Sequence, residues 1–93
     1  MPVNSLNAAT HANVASSASS VTLFAANTEA RARYVFNDSS SVLYIKFGTT
    51  ASVTSYAVQV AAGAFFTFPT PLYAGRVDGI WAAANGNART TEL

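Results

Sequence analysis

RARYVFNDSSSVLYIKFG, residues 31–48, decides the fold class. Its opening alternates, with Ala32, Tyr34 and Phe36 on one face and Arg31, Arg33 and Val35 on the other, the period of a β-strand. Asp38-Ser39-Ser40-Ser41 follows, four short polar side chains that bond their own backbone and so favour a turn. Alternation then resumes, Leu43, Ile45 and Phe47 against Val42, Tyr44 and Lys46, until Gly48 ends the run. Two period-two segments about a turn predict an antiparallel hairpin. The bulkier apolar side of each assigns Tyr34, Phe36, Leu43, Ile45 and Phe47 to the core.

The same grammar extends in both directions. Residues 21–26 (VTLFAA) predict a strand closed by Asn27-Thr28-Glu29, and residues 49–55 a polar loop. Tyr56, Val58 and Val60 alternate with Ala57 and Gln59, and Ala62-Gly63 marks a turn. Residues 64–68 (AFFTF) set Phe66 and Phe68 together and Phe65 opposite. Pro69 and Pro71 exclude a central strand and imply an extended crossing. Val77, Gly79 and Trp81 then share one side and Ile80 the other, and Asn85-Gly86 reads as a two-residue hairpin turn into residues 88–93. No segment carries a helical period. About seven short strands in one small domain predict an all-β fold, an antiparallel β-sandwich or jelly-roll-like barrel. Val58, Phe66, Phe68 and Trp81 complete the expected core.

The N-terminus reads differently. Residues 1–19 are dominated by Asn, Ala, Ser and Thr, with no aromatic side chain and no charge at neutral pH. Ser, Thr and Asn compete with regular structure through local hydrogen bonds. The expected organisation is an extended or disordered polar arm over residues 1–19 and a β-sandwich domain over residues 20–93. Two readings of the arm stay open: a free tail, or a segment ordered by lying across a neighbouring subunit. On the second, removing residues 1–19 weakens assembly without unfolding the domain.

Composition points towards association. Ninety-three residues make a thin core, which disulfides, metals or oligomerisation commonly support. Cysteine is absent and the single histidine, His11, lies in the arm. Charged residues are 10% of the chain against about 25% in an ordinary soluble domain, so part of the surface is expected to be covered. Several strands are apolar on both faces. Val35, Tyr44, Phe65 and Tyr73 are the candidate interface residues, with a second core under loops as the competing explanation.

Chemistry has little to work with. Asp38 belongs to a turn, and Asp78 lies where Arg76 or Arg33 can pair with it. A Ser-His-Asp arrangement has only His11 to recruit, and neither a Gly-x-Ser-x-Gly elbow nor a phosphate-binding glycine loop occurs. No catalytic residue, cofactor site or metal ligand set is expected. The five basic residues are dispersed, so no nucleic-acid partner is expected, and no apolar run is long enough for a membrane span. A basic segment followed by an apolar core is missing at the start, so a secretory leader is not expected. Tyr56, Tyr73 and Trp81 are the rings available for sugar stacking, which keeps a carbohydrate-binding module for host attachment as an alternative.

Residues 33–93 resemble a recurrent small structural protein of tailed-bacteriophage genomes. The resemblance rests on Asn37-Asp38-Ser39 followed by Leu43-Tyr44-Ile45-Lys46-Phe47-Gly48, on Ala62-Gly63 with its aromatics, on Gly75-x-Val77-Asp78-Gly79-Ile80-Trp81, and on Ala88-Arg89-x-Thr91-Glu92-Leu93. It covers about two-thirds of the chain and excludes the arm. It implies a virion structural component without enzymatic activity, made in the host bacterial cytoplasm. The implied role is a capsid decoration or cement protein binding the major capsid protein, or else a neck, tail or fibre-base component touching other virion proteins. A homo-oligomer, such as a trimer, goes with either.

Overall fold

The structure, a computed structural model, describes residues 8–93. Eight strands follow one another: β1 (Thr10–Ala15), β2 (Val21–Phe24), β3 (Arg33–Ser39), β4 (Leu43–Phe47), β5 (Val58–Val60), β6 (Phe65–Thr67), β7 (Val77–Trp81) and β8 (Gly86–Glu92). No helix occurs among the described residues. The strands form two four-stranded antiparallel sheets, β1-β8-β3-β6 and β2-β7-β4-β5, packed face to face as a β-sandwich.

The pairing has a simple logic. β1 pairs with β8, β2 with β7, β3 with β6 and β4 with β5, so the chain is one long antiparallel ribbon rolled up from its closed end. The β3–β8 and β4–β7 ladders complete the two sheets. Eight strands rolled in this way make a jelly roll.

Rolling explains where the expected hairpins went. Residues 31–37 and 42–47 were expected to pair, but β3 and β4 belong to different sheets, and Asp38–Ser41 is the corner between them. Asn85-Gly86 is likewise a corner, because β7 and β8 lie in opposite sheets. Gly86 has a φ of +90°, and a Cβ there would approach the Asp38 carbonyl oxygen to 2.4 Å. The glycine is required, but by a sheet-to-sheet crossing and not by a two-residue hairpin. Only β4 and β5 are both sequence neighbours and ladder partners, across an intervening loop.

The eighth strand comes from the polar segment. Thr10–Ala15 runs in register along β8, from Thr10 opposite Glu92 to Ala15 opposite Asn87. The expected arm therefore contributes an edge strand, and cutting at residue 19 removes part of a sheet. The rest of that expectation, over residues 1–7, lies outside the described residues.

The core lies between the sheets. Leu23, Phe24, Val35, Leu43, Ile45, Val60, Phe68, Val77, Trp81 and Ala88 are buried, with Phe47, Val58, Phe66 and Tyr73 half-buried against them. Burying each large side chain contributes roughly 1.5–3 kcal/mol. Gly79 makes the fit possible, since a Cβ there would come within 2.7 Å of Leu23 Cδ1.

Besides Thr90, two polar side chains share this interior and bond widely within it. Arg33, fully buried, donates to Glu92 Oε2 at 2.8 Å and to the carbonyls of Ala25, Tyr73, Ala74 and Gly75, with its guanidinium 4.9 Å from the Phe24 ring centroid. Asn37, also fully buried, donates to the carbonyls of Ser41 and Val60 and accepts from Ser39 Oγ and Trp81 Nε1. These hubs tie loop backbone to β3, where unmet carbonyls would otherwise be costly to bury.

Their presence sets the phase of β3. Arg33, Val35 and Asn37 point inward, and Tyr34 and Phe36 turn to the outer face. Val35, expected at an interface, is core, and Tyr34 and Phe36, expected in the core, are not. Aromatic bulk suggested the opposite phase, but only Arg33 and Asn37 carry the donors that the surrounding loop carbonyls need.

Candidate interaction faces

The two outer sheet faces carry the side chains that the core leaves over. On the β1-β8-β3-β6 sheet, the ladder registers align His11, Thr91, Tyr34 and Thr67 in one row and Asn13, Arg89, Phe36 and Phe65 in the next. The β3–β6 side of this face is aromatic. Tyr34 and Phe65 stack with centroids 5.8 Å apart and planes 16° from parallel, beside Phe36, and Phe65 is 60% exposed. The β1–β8 side is polar and cross-linked. Arg89 Nε donates to Asp38 Oδ2 at 2.7 Å, its Nη1 to Asn13 Oδ1 at 2.9 Å, and His11 Nδ1 lies 3.0 Å from Thr91 Oγ1.

The opposite face, on the β2-β7-β4-β5 sheet, has a second aromatic centre. Tyr44 stands between Ile80 and Gln59 in register and meets Tyr56 edge-on at 4.9 Å. Gln59 Nε2 donates to the Tyr56 hydroxyl at 2.7 Å, and Tyr56 and Val53 are 38% and 52% exposed. Lys46 lies on this face and donates to Ser55 Oγ. One end is closed over: Ser20 Oγ donates to the buried Asp78 carboxylate and accepts from the Ala51 N–H, drawing the 49–55 loop across the sheet.

The four candidate interface residues therefore fall in three places. Phe65 and Tyr44 lie on opposite outer faces, and Val35 is interior. Tyr73 is half-buried, its ring stacked on Phe47 at 5.4 Å and 9°. Of the expected core, Leu43, Ile45, Phe68 and Trp81 are buried and Phe47, Val58 and Phe66 line its margin. Of the rings considered for sugar stacking, Trp81 is inaccessible and Tyr73 is committed to Phe47, leaving Tyr56.

Sequence reading missed Asn13 and Arg89, which organise the polar half of the first face. Their signal was present only jointly, as an amide and a guanidinium seventy-six positions apart that a β1–β8 register brings together. The ion pairs follow chemistry visible earlier. Asp78 pairs with Arg76 at 2.9 Å, while Arg33 goes to Glu92. Asp38, expected to cap its own turn, bonds Arg89. Among the described residues no group of three or more His, Asp or Glu side chains is placed to hold a metal ion.

No family model, curated relative or solved structure matches the chain.

Proposed function

We propose that this domain is a structural, non-enzymatic component of a bacteriophage virion, a decoration or cement protein that bridges neighbouring subunits of an assembled head shell. One observation carries the reading: aromatic side chains stand on both outer faces of the sandwich, Tyr34, Phe36 and Phe65 on one side and Tyr44 and Tyr56 on the other. A domain with two opposed contact faces suits a bridge between two neighbours. An enzyme concentrates its distinctive groups in one concavity.

The mechanism is thermodynamic. Burying apolar surface yields roughly 25 cal/mol per Å² before the cost of association is subtracted. A protein that binds the assembled shell and not its separated parts stabilises the shell by linkage. The jelly-roll architecture supports the reading by analogy, since viral capsid domains use it, as do lectins and cupins. The sequence resemblance of residues 33–93 supports the phage assignment.

Quantitative mass spectrometry of purified particles tests it. Copies in the hundreds per particle are expected for a cement protein; a dozen or so would move the chain to the neck, tail or fibre base, and none would remove the virion reading. Single variants then test the bridge. Phe65→Ser and Tyr44→Ser should each lower the protection that the protein gives shells against heat, with the domain's own fold retained. Undiminished protection by both would overturn the two-faced bridge.

A further inference from the structure

We infer that the outer edge of β1, unpaired among the described residues, is a pairing edge for a second copy of this chain, joined antiparallel across a two-fold axis at Asn13. The four sheet edges differ sharply. β6 and β5 are three residues long, and Pro69 and Pro71 follow β6 closely. β2 has four residues, and a register shift between Thr22 and Phe24 interrupts it. Short length, proline and bulges are the devices that blunt an edge against pairing. β1 has none of them. It runs six residues without proline, lysine, carboxylate or bulge, in unbroken register with β8.

Its hydrogen-bonding groups have a definite direction. The Ser16 N–H donates to the Gly86 carbonyl, continuing the ladder, so the even-numbered residues of β1 bond β8. The backbone N–H and C=O groups of His11, Asn13 and Ala15 therefore point away from it, and no described residue bonds them.

A second copy fits this edge better than an arbitrary strand. Antiparallel pairing centred on Asn13 sets Asn13 against Asn13 of the second copy and His11 against its Ala15, so every outward backbone group of these residues finds a partner. The imidazole meets a methyl group and therefore has room. The Asn13 amide has donors and an acceptor and can pair with its own kind, even while its oxygen accepts from Arg89. β1 contains no Asp, Glu, Lys or Arg, so no such charges are set opposite one another. On the inner face Ala12 meets Val14 of the second copy, which covers a side chain now half-buried at the core margin. The product is a continuous sheet of eight strands. It closes at two copies, one form of the homo-oligomer expected, for which a trimer was the example given.

This inference does not rest on the proposed function. The isolated full chain tests it, and a particle lacking the protein would leave it standing. Sedimentation velocity over a range of concentrations should show a monomer–dimer equilibrium. Asn13→Asp sets two carboxylates together at the two-fold, yet within its own fold faces the Arg89 guanidinium. It should weaken the dimer about tenfold or more at low salt, less at high salt, without lowering the unfolding temperature measured at concentrations where both chains are monomeric. Because the chain lacks cysteine, Asn13→Cys gives an independent readout. Under mild oxidation it should form a disulfide-linked dimer well before Val53→Cys, which carries its thiol on an exposed loop. A chain that stays monomeric at every concentration overturns the inference. So does an oligomer that Asn13→Asp leaves intact, or equal cross-linking of the two thiols.

Discussion

β3 and β4 flank the same corner and alternate in the same way, yet they spend their inner faces on different chemistry. β4 buries Leu43 and Ile45 and presents Tyr44 outward, so its interior face is apolar throughout. β3 buries Arg33 and Asn37 on either side of Val35 and presents Tyr34 and Phe36 outward. The difference follows from what each strand passes. β3 runs beneath the loops that carry the Ala25 and residues 73–75 carbonyls, and then beside those of Ser41 and Val60. Those carbonyls, most of them part-buried, accept from Arg33 and Asn37, and a ring offers them nothing. β4 also runs beside Val60 but places no polar side chain on its inner face. In a domain this small, backbone demand at the corners can outrank side-chain bulk in deciding which face of a strand goes in.

The comparison is broken most directly at Arg33. Arg33→Met keeps an unbranched apolar stem but strips the donors from four carbonyls and leaves Glu92 without its cation. Removing one partner of a buried ionic cluster costs about 3–5 kcal/mol, a large share of the stability of a small domain. Urea denaturation should register that loss. A variant within about 1 kcal/mol of the native chain would show that the loop carbonyls find water and that β3 owes its phase to something else. At β4 the matching test is Leu43→Ala, expected to cost about 3 kcal/mol through lost burial and the cavity left under Trp81. A smaller cost at Leu43 than at Arg33 is what the comparison requires; the reverse order would return the interior to ordinary apolar packing.

The corner itself comes next. Gly86→Ala forces a Cβ against the Asp38 carbonyl at a positive φ, which should cost about 1–3 kcal/mol. Native stability in that variant, by thermal unfolding, would mean that the crossing relaxes without strain.

These residues also mark how far the sequence could be read. Strand positions were legible because period two and turn chemistry are local: β2, β4, β5, β6 and β7 fall within the expected segments, and β3 and β8 overlap theirs while also taking in Asp38-Ser39 and Gly86-Asn87. β1 was not, since THANVA has only Thr10 and Val14 as β-branched residues and no clear period, and only the ladder along β8 makes it a strand. Pairing was illegible for a related reason. Asp38–Ser41 and Asn85-Gly86 are good reversals, and a reversal into the same sheet and one into the opposite sheet use the same residues. The interaction faces were half legible. Tyr44 and Phe65 stood out as apolar residues on the second side of a strand. Tyr34 and Phe36 did not, because assigning them required knowing which loops Arg33 and Asn37 would meet.

The smallest expected effect sharpens the comparison from outside. Phe65 stacks on Tyr34 but is mostly exposed, so Phe65→Ser removes one aromatic contact and little buried area. Such a change should cost no more than about 1 kcal/mol, the order of one stacked pair. The original assignment of Tyr34 and Phe36 to the core implies a much larger penalty, because losing Phe65 would then open a path to the interior. If Phe65→Ser unfolds several kcal/mol early, the outer aromatics are holding the sandwich together. If it unfolds like the native chain, the ring is free surface beside a strand, β3, whose stability comes from Arg33, Val35 and Asn37, and its exposure on the β3–β6 face asks for a partner.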